Sequence, residues 1–262
     1  MHLKSESESV RSLLPPEKYF HWRGGEITRL EAFCDVVFGF AITLLVVSLE
    51  VPHSFDDLVR AMRGFLPFAA CFAQFILIWH THYRFSRRYG MEDSYTVFLN
   101  VILLFLVLFY VYPLKFLFTR LLGGLVGLET VDAMPHENAA ALMQIYGLGF
   151  AAVFGLFALM YLHAYAVRQK LQLNGVEALE TRISIQENAV MALFGLTSFF
   201  VAFKSSKWAG LLYMAIGFFF WIHGAFMRKR LRLLATDLKD GASRVSTQLP
   251  PQPSSSAGAG SQ

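Results

Sequence analysis

The sequence predicts an all-α integral membrane protein with six transmembrane helices. Of its 262 residues, 55% are hydrophobic and only 16% are charged, whereas soluble domains carry about 25% charged residues. Six apolar segments approach or exceed the roughly 20 residues that a helix needs to cross a bilayer. The net charge of +4 gives no sign of nucleic-acid binding, because the basic residues cluster at the ends of the apolar segments.

The six predicted spans cover, in chain order, residues 30–49, 65–81, 95–118, 139–166, 189–203 and 208–227. Only the sequence KSSK separates the short fifth span from the sixth, which predicts a tight antiparallel pair. We expect a cytoplasmic N-terminal segment (1–28), a six-helix membrane domain (29–232) and a cytoplasmic tail (233–262). The first segment lacks the apolar core of a cleaved signal and is predicted to be flexible up to the first helix. The tail is rich in Pro, Ser and Gly and is predicted to be largely disordered.

The distribution of Lys and Arg predicts the orientation. With both termini on one side of the membrane, that side holds 17 of the 23 basic residues. Cytoplasmic segments carry an excess of Lys and Arg. Both termini are therefore predicted to be cytoplasmic.

The first span, RLEAFCDVVFGFAITLLVVSLEVP, contains an acid within the membrane region. Only fourteen residues separate Asp35 from Glu50, so the helix must be completed from the N-terminal side and includes Asp35. An acid at that depth costs about 2.5 kcal/mol or more and is usually functional or paired. Phe40, Thr43, Leu44 and Val47 share one helical face, and Asp35 lies about 140° around the axis from Phe40. The acid and the stripe are therefore expected to face different neighbours.

The same segment carries a family resemblance. Arg29-Leu-Glu-Ala-Phe33-Cys34-Asp35 resembles the R-x-x-x-F-S-D signature of the transmembrane protein 175 family of potassium channels, and the continuation is similar to prokaryotic members over the whole helix. Cys34 stands where the family usually has serine, so a hydroxyl is replaced by a weaker donor.

The resemblance continues in the next two spans. Trp79-x-x-His82 in the second span and Leu99-Asn100 in the third are similar to the family pattern. The resemblance implies a homotetrameric channel without a re-entrant filter loop, and the sequence has no TVGYG-like stretch. It also implies K⁺ as the permeant ion, no cofactor and no resident metal.

The resemblance further implies roles for the stripe on the first helix. Phe40 would form the hydrophobic constriction of the pore, at a position where the family usually has Ile or Leu. Thr43 would provide a polar ring linked to cation selectivity. Leu44 and Val47 would form further apolar layers.

The signature residues would form a structural network that fixes this helix in the bundle. In that interpretation Asp35 is held by Arg29, Trp79, His82 or Asn100. The proposed network comprises Arg29, Phe33, Cys34, Asp35, Trp79, His82 and Asn100.

Other functions are weighed against the channel. An intramembrane carboxylate is typical of proton relays, so the alternative is a proton-coupled secondary transporter that uses Asp35. An enzyme is disfavoured because no span presents paired carboxylates or a Ser–His arrangement. His80 and His82 point about 160° apart on a helix, which disfavours a metal site. We therefore expect a multi-pass channel in a prokaryotic plasma membrane, whose partners are membrane lipid and further copies of itself, with no small-molecule substrate.

Overall fold

The computed structural model describes residues 20–47, 51–123, 135–206, 208–210 and 212–213, and all regular secondary structure in these ranges is helical. We number the helices in chain order. They are α1 (Arg29–Val47), α2 (Phe55–Arg63), α3 (Phe65–Tyr89), α4 (Ser94–Gly123), α5 (His136–Ala166) and α6 (Gly175–Ala202).

Five of these helices, all except α2, are long and apolar enough to cross a membrane. They correspond to the first five predicted spans, so a multi-pass, all-helical membrane protein is confirmed. The predicted sixth span, 208–227, lies largely outside the described residues, although 208–210 and 212–213 are helical.

The start of α6 differs from the sequence prediction. The helix begins at Gly175, not at residue 189, because Asn174 and Glu177 form a reciprocal capping box. The Asn174 side chain accepts a hydrogen bond from the Glu177 backbone N–H, and the Glu177 carboxylate accepts one from the Asn174 backbone N–H. The apolar composition marked only the later part of this helix, whereas the capping box fixes its start earlier in the chain.

Helix α2 was not predicted from the sequence. Ser54 caps its first turn by accepting a hydrogen bond from the Asp57 N–H at 3.1 Å. None of its nine residues is buried against the rest of the described chain. The helix links the end of α1 to the start of α3, where Gly64 separates α2 from α3.

The core of the bundle is formed by α1, α3, α4 and α5. At its centre large apolar side chains from all four helices are almost fully buried. These include Phe38 of α1, Phe75 of α3, Leu103 and Val107 of α4, and Phe157 of α5. The helices α1, α3 and α4, which carry the signature residues, are therefore packed together with α5 around one core.

Helices α5 and α6 approach each other through small residues. A Cβ atom added at Gly195 of α6 would lie 2.7 Å from the Ala151 nitrogen and 2.8 Å from the Gly147 carbonyl oxygen of α5. Contacts of this length are far inside van der Waals distance, so only glycine fits. Small residues at such crossings let helix backbones pack closely within a membrane.

The N-terminal segment is not flexible throughout, and the prediction is wrong for residues 20–24. Phe20 is only 4% exposed, and its ring makes an edge-to-face contact with Tyr89 at the end of α3, with 5.4 Å between ring centroids. We call residues Phe20–Gly24 the strap. Burial of the Phe20 ring explains why this short segment is held against the bundle.

The helix crossing can be tested with a matched pair of glycine substitutions. Gly195→Ala should destabilise the protein by about 1–3 kcal/mol, as overpacking in a well-packed core does. Gly155→Ala on α5 should have little effect, because an added Cβ there meets nothing within 4 Å. Thermal unfolding of the detergent-solubilised protein measures both. Equal melting temperatures for the two variants would contradict the close crossing.

Candidate functional site

Helix α1 has two faces with different surroundings. Its buried residues follow one another at intervals of three and four, as expected for one side of a helix. They are Glu31, Cys34, Phe38, Ala41 and Leu45. Thr28 caps the helix by accepting a hydrogen bond from the Glu31 N–H at 3.1 Å. The buried side of α1 packs against α3 and α4.

The stripe predicted from the sequence lies mainly on the opposite, exposed side. Phe40 is 54% exposed and Val47 is 72% exposed, and Thr43 is exposed as well. Leu44 is half-buried and packs against the edge of the core. We call these four residues the α1 stripe. Within one chain, therefore, most of the stripe is not covered by the chain's own helices.

Thr43 is the one hydroxyl of the stripe, and its proton is already engaged. Its Oγ1 donates to the Gly39 carbonyl oxygen at 2.9 Å, one turn earlier in the helix. A hydroxyl that donates its hydrogen still has two acceptor lone pairs. The side of Thr43 that faces away from the helix can therefore present oxygen lone pairs to water or to a cation.

Asp35 is held by Trp79 of α3. The indole Nε1–H donates to Asp35 Oδ1 at 2.8 Å, and the indole ring stacks on Tyr83 with 5.6 Å between ring centroids. Both Asp35 and Trp79 are half-buried. Arg29 is exposed, and no ion pair joins it to Asp35, although both residues are described. Of the four partners expected for the acid, the structure brings Trp79 into hydrogen-bond contact.

A second polar group joins α1, α3 and α4. His82 Nε2 lies 2.7 Å from Asn100 Oδ1, and the Cys34 Sγ–H donates to the same oxygen at 3.8 Å. Asn100 Nδ2 in turn donates to the Thr96 carbonyl oxygen at 2.8 Å. Since the amide is oriented by that last bond, its oxygen faces the imidazole and accepts from Nε2–H. The Cys34 thiol therefore takes part in this group as a weak hydrogen-bond donor.

The structure thus divides the predicted network into two groups. Cys34, Asp35, Trp79, His82 and Asn100 lie together between the three helices. Arg29 and Phe33 lie on the exposed side of α1.

The two histidines considered for a metal site also lie apart. His80 is exposed, whereas His82 is buried. They therefore occupy different sides of α3, as their spacing predicted.

Sequence reasoning missed a set of ion pairs at the end of the bundle where α3 ends and α6 begins. Arg23 pairs with Glu177 at 2.7 Å, and Arg88 pairs with Glu180 at 2.6 Å. The side chains of Glu177 and Arg88 are each 1% exposed. The Asn-x-x-Glu pattern at 174–177 could have marked the helix start, but no local pattern identifies ion-pair partners that lie 154 and 92 residues apart.

Asp93, between α3 and α4, makes a further contact at this end. Burial acts to raise the pKa of its carboxyl, but hydrogen bonds from Thr96 and from His163 prevail and lower it. The Asp93–His163 distance is 2.9 Å. Because the folded-state pKa is lowered, the contribution to stability is present above the unfolded pKa and is lost as the pH falls.

Comparison with known proteins identifies the family of this chain. A family model described as "Endosomal/lysosomal potassium channel TMEM175" matches residues 29–110, from the start of α1 into α4. A potassium channel from Marivirga tractuosa is 40% identical over 233 residues, which cover 83% of this chain and 94% of the relative. The chain belongs to the TMEM175 family. This family consists of potassium channels, so the protein is a channel and not an enzyme, as the sequence resemblance predicted.

Further relatives support the assignment of this protein to the TMEM175 family. A potassium channel from Chamaesiphon minutus is 27% identical over 184 residues, which cover 66% of this chain and 84% of the relative. A crystal structure of the potassium channel MtTMEM175, a threonine-to-alanine variant bound to a nanobody–MBP fusion, matches with a TM-score of 0.72 and 40% identity over 82% of this chain and 99% of that one. A lysosomal potassium-selective channel homologue from Chamaesiphon minutus matches in fold, with a TM-score of 0.53, 24% identity, and coverage of 74% of this chain and 96% of that one.

The Asp35–Trp79 contact predicts that the acid stabilises the fold. Asp35→Ala should lower the yield of folded protein, because it leaves the Trp79 indole N–H without its acceptor, a loss of about 1–3 kcal/mol. Trp79→Phe should lower the melting temperature, and adding Asp35→Ala to it should cost less than in the native background. Size-exclusion chromatography and thermal unfolding measure these effects. A normal yield and stability combined with altered flux would instead assign Asp35 to transport.

Proposed function

We propose that four copies of this chain surround one axis and form a potassium-permeable pore lined by α1. The observation that carries the proposal is the asymmetry of α1, whose buried face is bonded to α3 and α4 while most of the α1 stripe is uncovered. Lipid would cover an exposed apolar face equally well, but the stripe also carries a hydroxyl that can offer lone pairs outward. The stripe also lies within the part of the chain that the family model matches.

The proposed gate is a ring of four Phe40 side chains. Phe40 is the largest side chain of the stripe and is 54% exposed in the single chain. Narrow apolar constrictions exclude water and thereby block ions. Four phenyl rings at one level would form a dry neck when closed, and the ions would pass once the rings separate enough for water to enter.

The proposed selectivity element is a ring of four Thr43 hydroxyls. Thr43 lies three residues beyond Phe40, so it is the neighbouring layer on the same side of the helix. The Thr43–Gly39 hydrogen bond fixes the direction of the oxygen lone pairs. Four such oxygens would replace part of the hydration shell of a dehydrating cation. The permeant ion is K⁺, and the proposed mechanism uses no cofactor.

The membrane arrangement in this proposal has six spans, with residues 208–227 forming the sixth. Both termini lie in the cytoplasm of a prokaryotic cell, and the protein resides in the plasma membrane. The excess of Lys and Arg on that side supports this orientation. The strap then lies on the cytoplasmic side and α2 on the outer side, with the segments 1–28, 29–232 and 233–262 as the N-terminal segment, the channel domain and the tail.

The transporter alternative gains no support from the site. Asp35 accepts a hydrogen bond from Trp79 and lies away from Phe40 and Thr43. A proton carrier would need its carboxylate on the transport path.

Removal of the Phe40 ring should open the neck. Phe40→Ala should increase K⁺ flux into liposomes in the absence of any stimulus, because a wider constriction stays wet. Phe40→Leu, which restores a residue usual at this position in the family, should remain close to the native level. Unchanged flux in a correctly folded Phe40→Ala protein would show that Phe40 does not form the gate.

Removal of the Thr43 hydroxyl should reduce selectivity. Thr43→Ala should lower the permeability ratio of K⁺ to Na⁺, whereas Thr43→Ser keeps the oxygen and should preserve the ratio. Reversal potentials under bi-ionic conditions give the ratio. If the Ala and Ser variants have the same ratio as the native channel, the hydroxyl has no part in selectivity.

A further inference from the structure

The strap is bound into a crevice between the end of α3 and the start of α6. Phe20 lies under two guanidinium groups, with the Arg88 carbon 4.8 Å and the Arg23 carbon 5.7 Å from the ring centroid. The His21 backbone N–H donates to Glu177 Oε1 at 2.8 Å. The strap is thus held by aromatic, ionic and backbone contacts together.

Arg23 makes the densest set of these contacts. Its Nε–H donates to the Leu171 carbonyl at 2.6 Å, and Nη2 donates to the Gln172 carbonyl at 3.0 Å and to Glu177 Oε2 at 2.7 Å. Its Nη1 donates to the His21 carbonyl at 3.0 Å and to Glu177 Oε1 at 3.2 Å. All five N–H donors of the guanidinium are therefore used. A bidentate arrangement of this kind fixes orientation as well as distance.

On its other side, the strap lies in close contact with the last turn of α3. The backbone N–H groups of Arg23 and Gly24 donate to the carbonyls of Arg88 and Arg87 at 3.3 Å and 3.1 Å. A Cβ atom added at Gly24 would lie 3.0 Å from the Ser86 carbonyl oxygen and 3.1 Å from the Arg87 Cα. The strap therefore runs directly against the last turn of α3.

The strap is connected to α1 by a short piece of chain. Only residues 25–27 lie between Gly24 and Thr28, the residue that caps α1. Helix α1 itself packs against α3 and α4, while α6 pairs mainly with α5. The Arg23–Glu177 contact therefore ties the start of α1 to the α5–α6 pair.

We propose that Arg23 is a positioning residue for the channel, which holds the N-terminal end of α1 to α6 and thereby keeps the Phe40 rings closed. This inference rests on the proposed function, since it requires α1 to line the pore. With the strap bound, a shift of α1 must break the Arg23 contacts or move α6 as well. With the strap released, α1 is held only by its polar and apolar contacts within the core of the bundle.

A hydrophobic neck is sensitive to small displacements of the helices that form it. Water re-enters an apolar constriction when it widens slightly, so a modest shift of α1 changes conduction. Selectivity depends on the Thr43 oxygens, which the strap does not touch. Loss of the strap should therefore change how often the pore conducts without changing which ion it prefers.

The experiment measures K⁺ flux in liposomes and reversal potentials for Arg23→Ala, Arg23→Lys and the native full-length channel. Arg23→Ala should raise unstimulated flux by roughly threefold or more with an unchanged K⁺/Na⁺ ratio. Arg23→Lys should give an intermediate flux, because an ammonium can pair with Glu177 but cannot reach both carbonyls of the 171–172 turn. If Arg23 only stabilised the fold, Arg23→Ala would lower the yield of folded protein. The flux would then not decrease in the order Arg23→Ala, Arg23→Lys, native.

Arg168→Ala is the matched control. Arg168 lies at the same end of the bundle and is exposed, and its guanidinium group donates to the Tyr165 carbonyl oxygen and lies over the Tyr165 ring. Its removal should leave the flux at the native level. If Arg23→Ala does not fold, Glu177→Gln tests the same contact, since it keeps an oxygen for the Asn174 cap and removes the charge that Arg23 binds; the same rise in flux is expected.

The outcomes separate this inference from the proposed function. If Phe40→Ala raises the flux while the Arg23 and Glu177 variants behave like native protein, the strap does not position α1 and the inference is overturned. If Phe40→Ala has no effect, the assignment of the gate to Phe40 fails whatever Arg23 does. A rise in flux that Arg168→Ala reproduces equally would also overturn the inference.

Discussion

The fold of this protein depends on polar side chains of α1 that are bonded to the neighbouring helices within an apolar bundle. Apolar packing alone orients a membrane helix weakly, because lipid tails are as apolar as leucine. The bond from Trp79 to Asp35 and the shared contact of Cys34 and His82 with Asn100 are directional. They fix which side of α1 faces α3 and α4. As a result, the opposite side is presented to whatever lies beyond the single chain.

That constraint explains how one helix can hold both an acid and the apolar residues that we propose line the pore. The acid is satisfied on one side by a neighbouring indole, and the residues assigned to conduction lie on the other. In the proposed channel the two groups can then be considered separately: changes at Asp35 are expected to act on stability, and changes at Phe40 or Thr43 on flux. In the proposed tetramer, the strap adds a second constraint, because it ties the start of α1 to α6 through Arg23.

Much of this arrangement could be predicted from sequence, and the failures have physical causes. Five spans follow from apolar length, and the two faces of α1 follow from helical spacing. The sequence predicts four candidate partners for Asp35 but does not identify which of them binds it. Hydrogen bonding depends on side-chain geometry, which residue spacing does not determine. The predicted fifth span began at residue 189 because it was placed by apolar composition, which does not include Glu177 and Glu180 at the start of α6, where they pair with Arg23 and Arg88. The strap was missed because its partners, such as Glu177, are distant in the chain.

The most direct test of the account is whether the α1 stripe lines a water-filled path. Val47→Cys can be treated with a positively charged, water-soluble thiol reagent, since the native Cys34 and Cys71 are both 0% exposed. Phe105→Cys, on the exposed side of α4, is the control. The account predicts that modification at position 47 strongly reduces K⁺ flux, while the control keeps its flux. Complete modification at position 47 with unchanged flux would contradict the central claim.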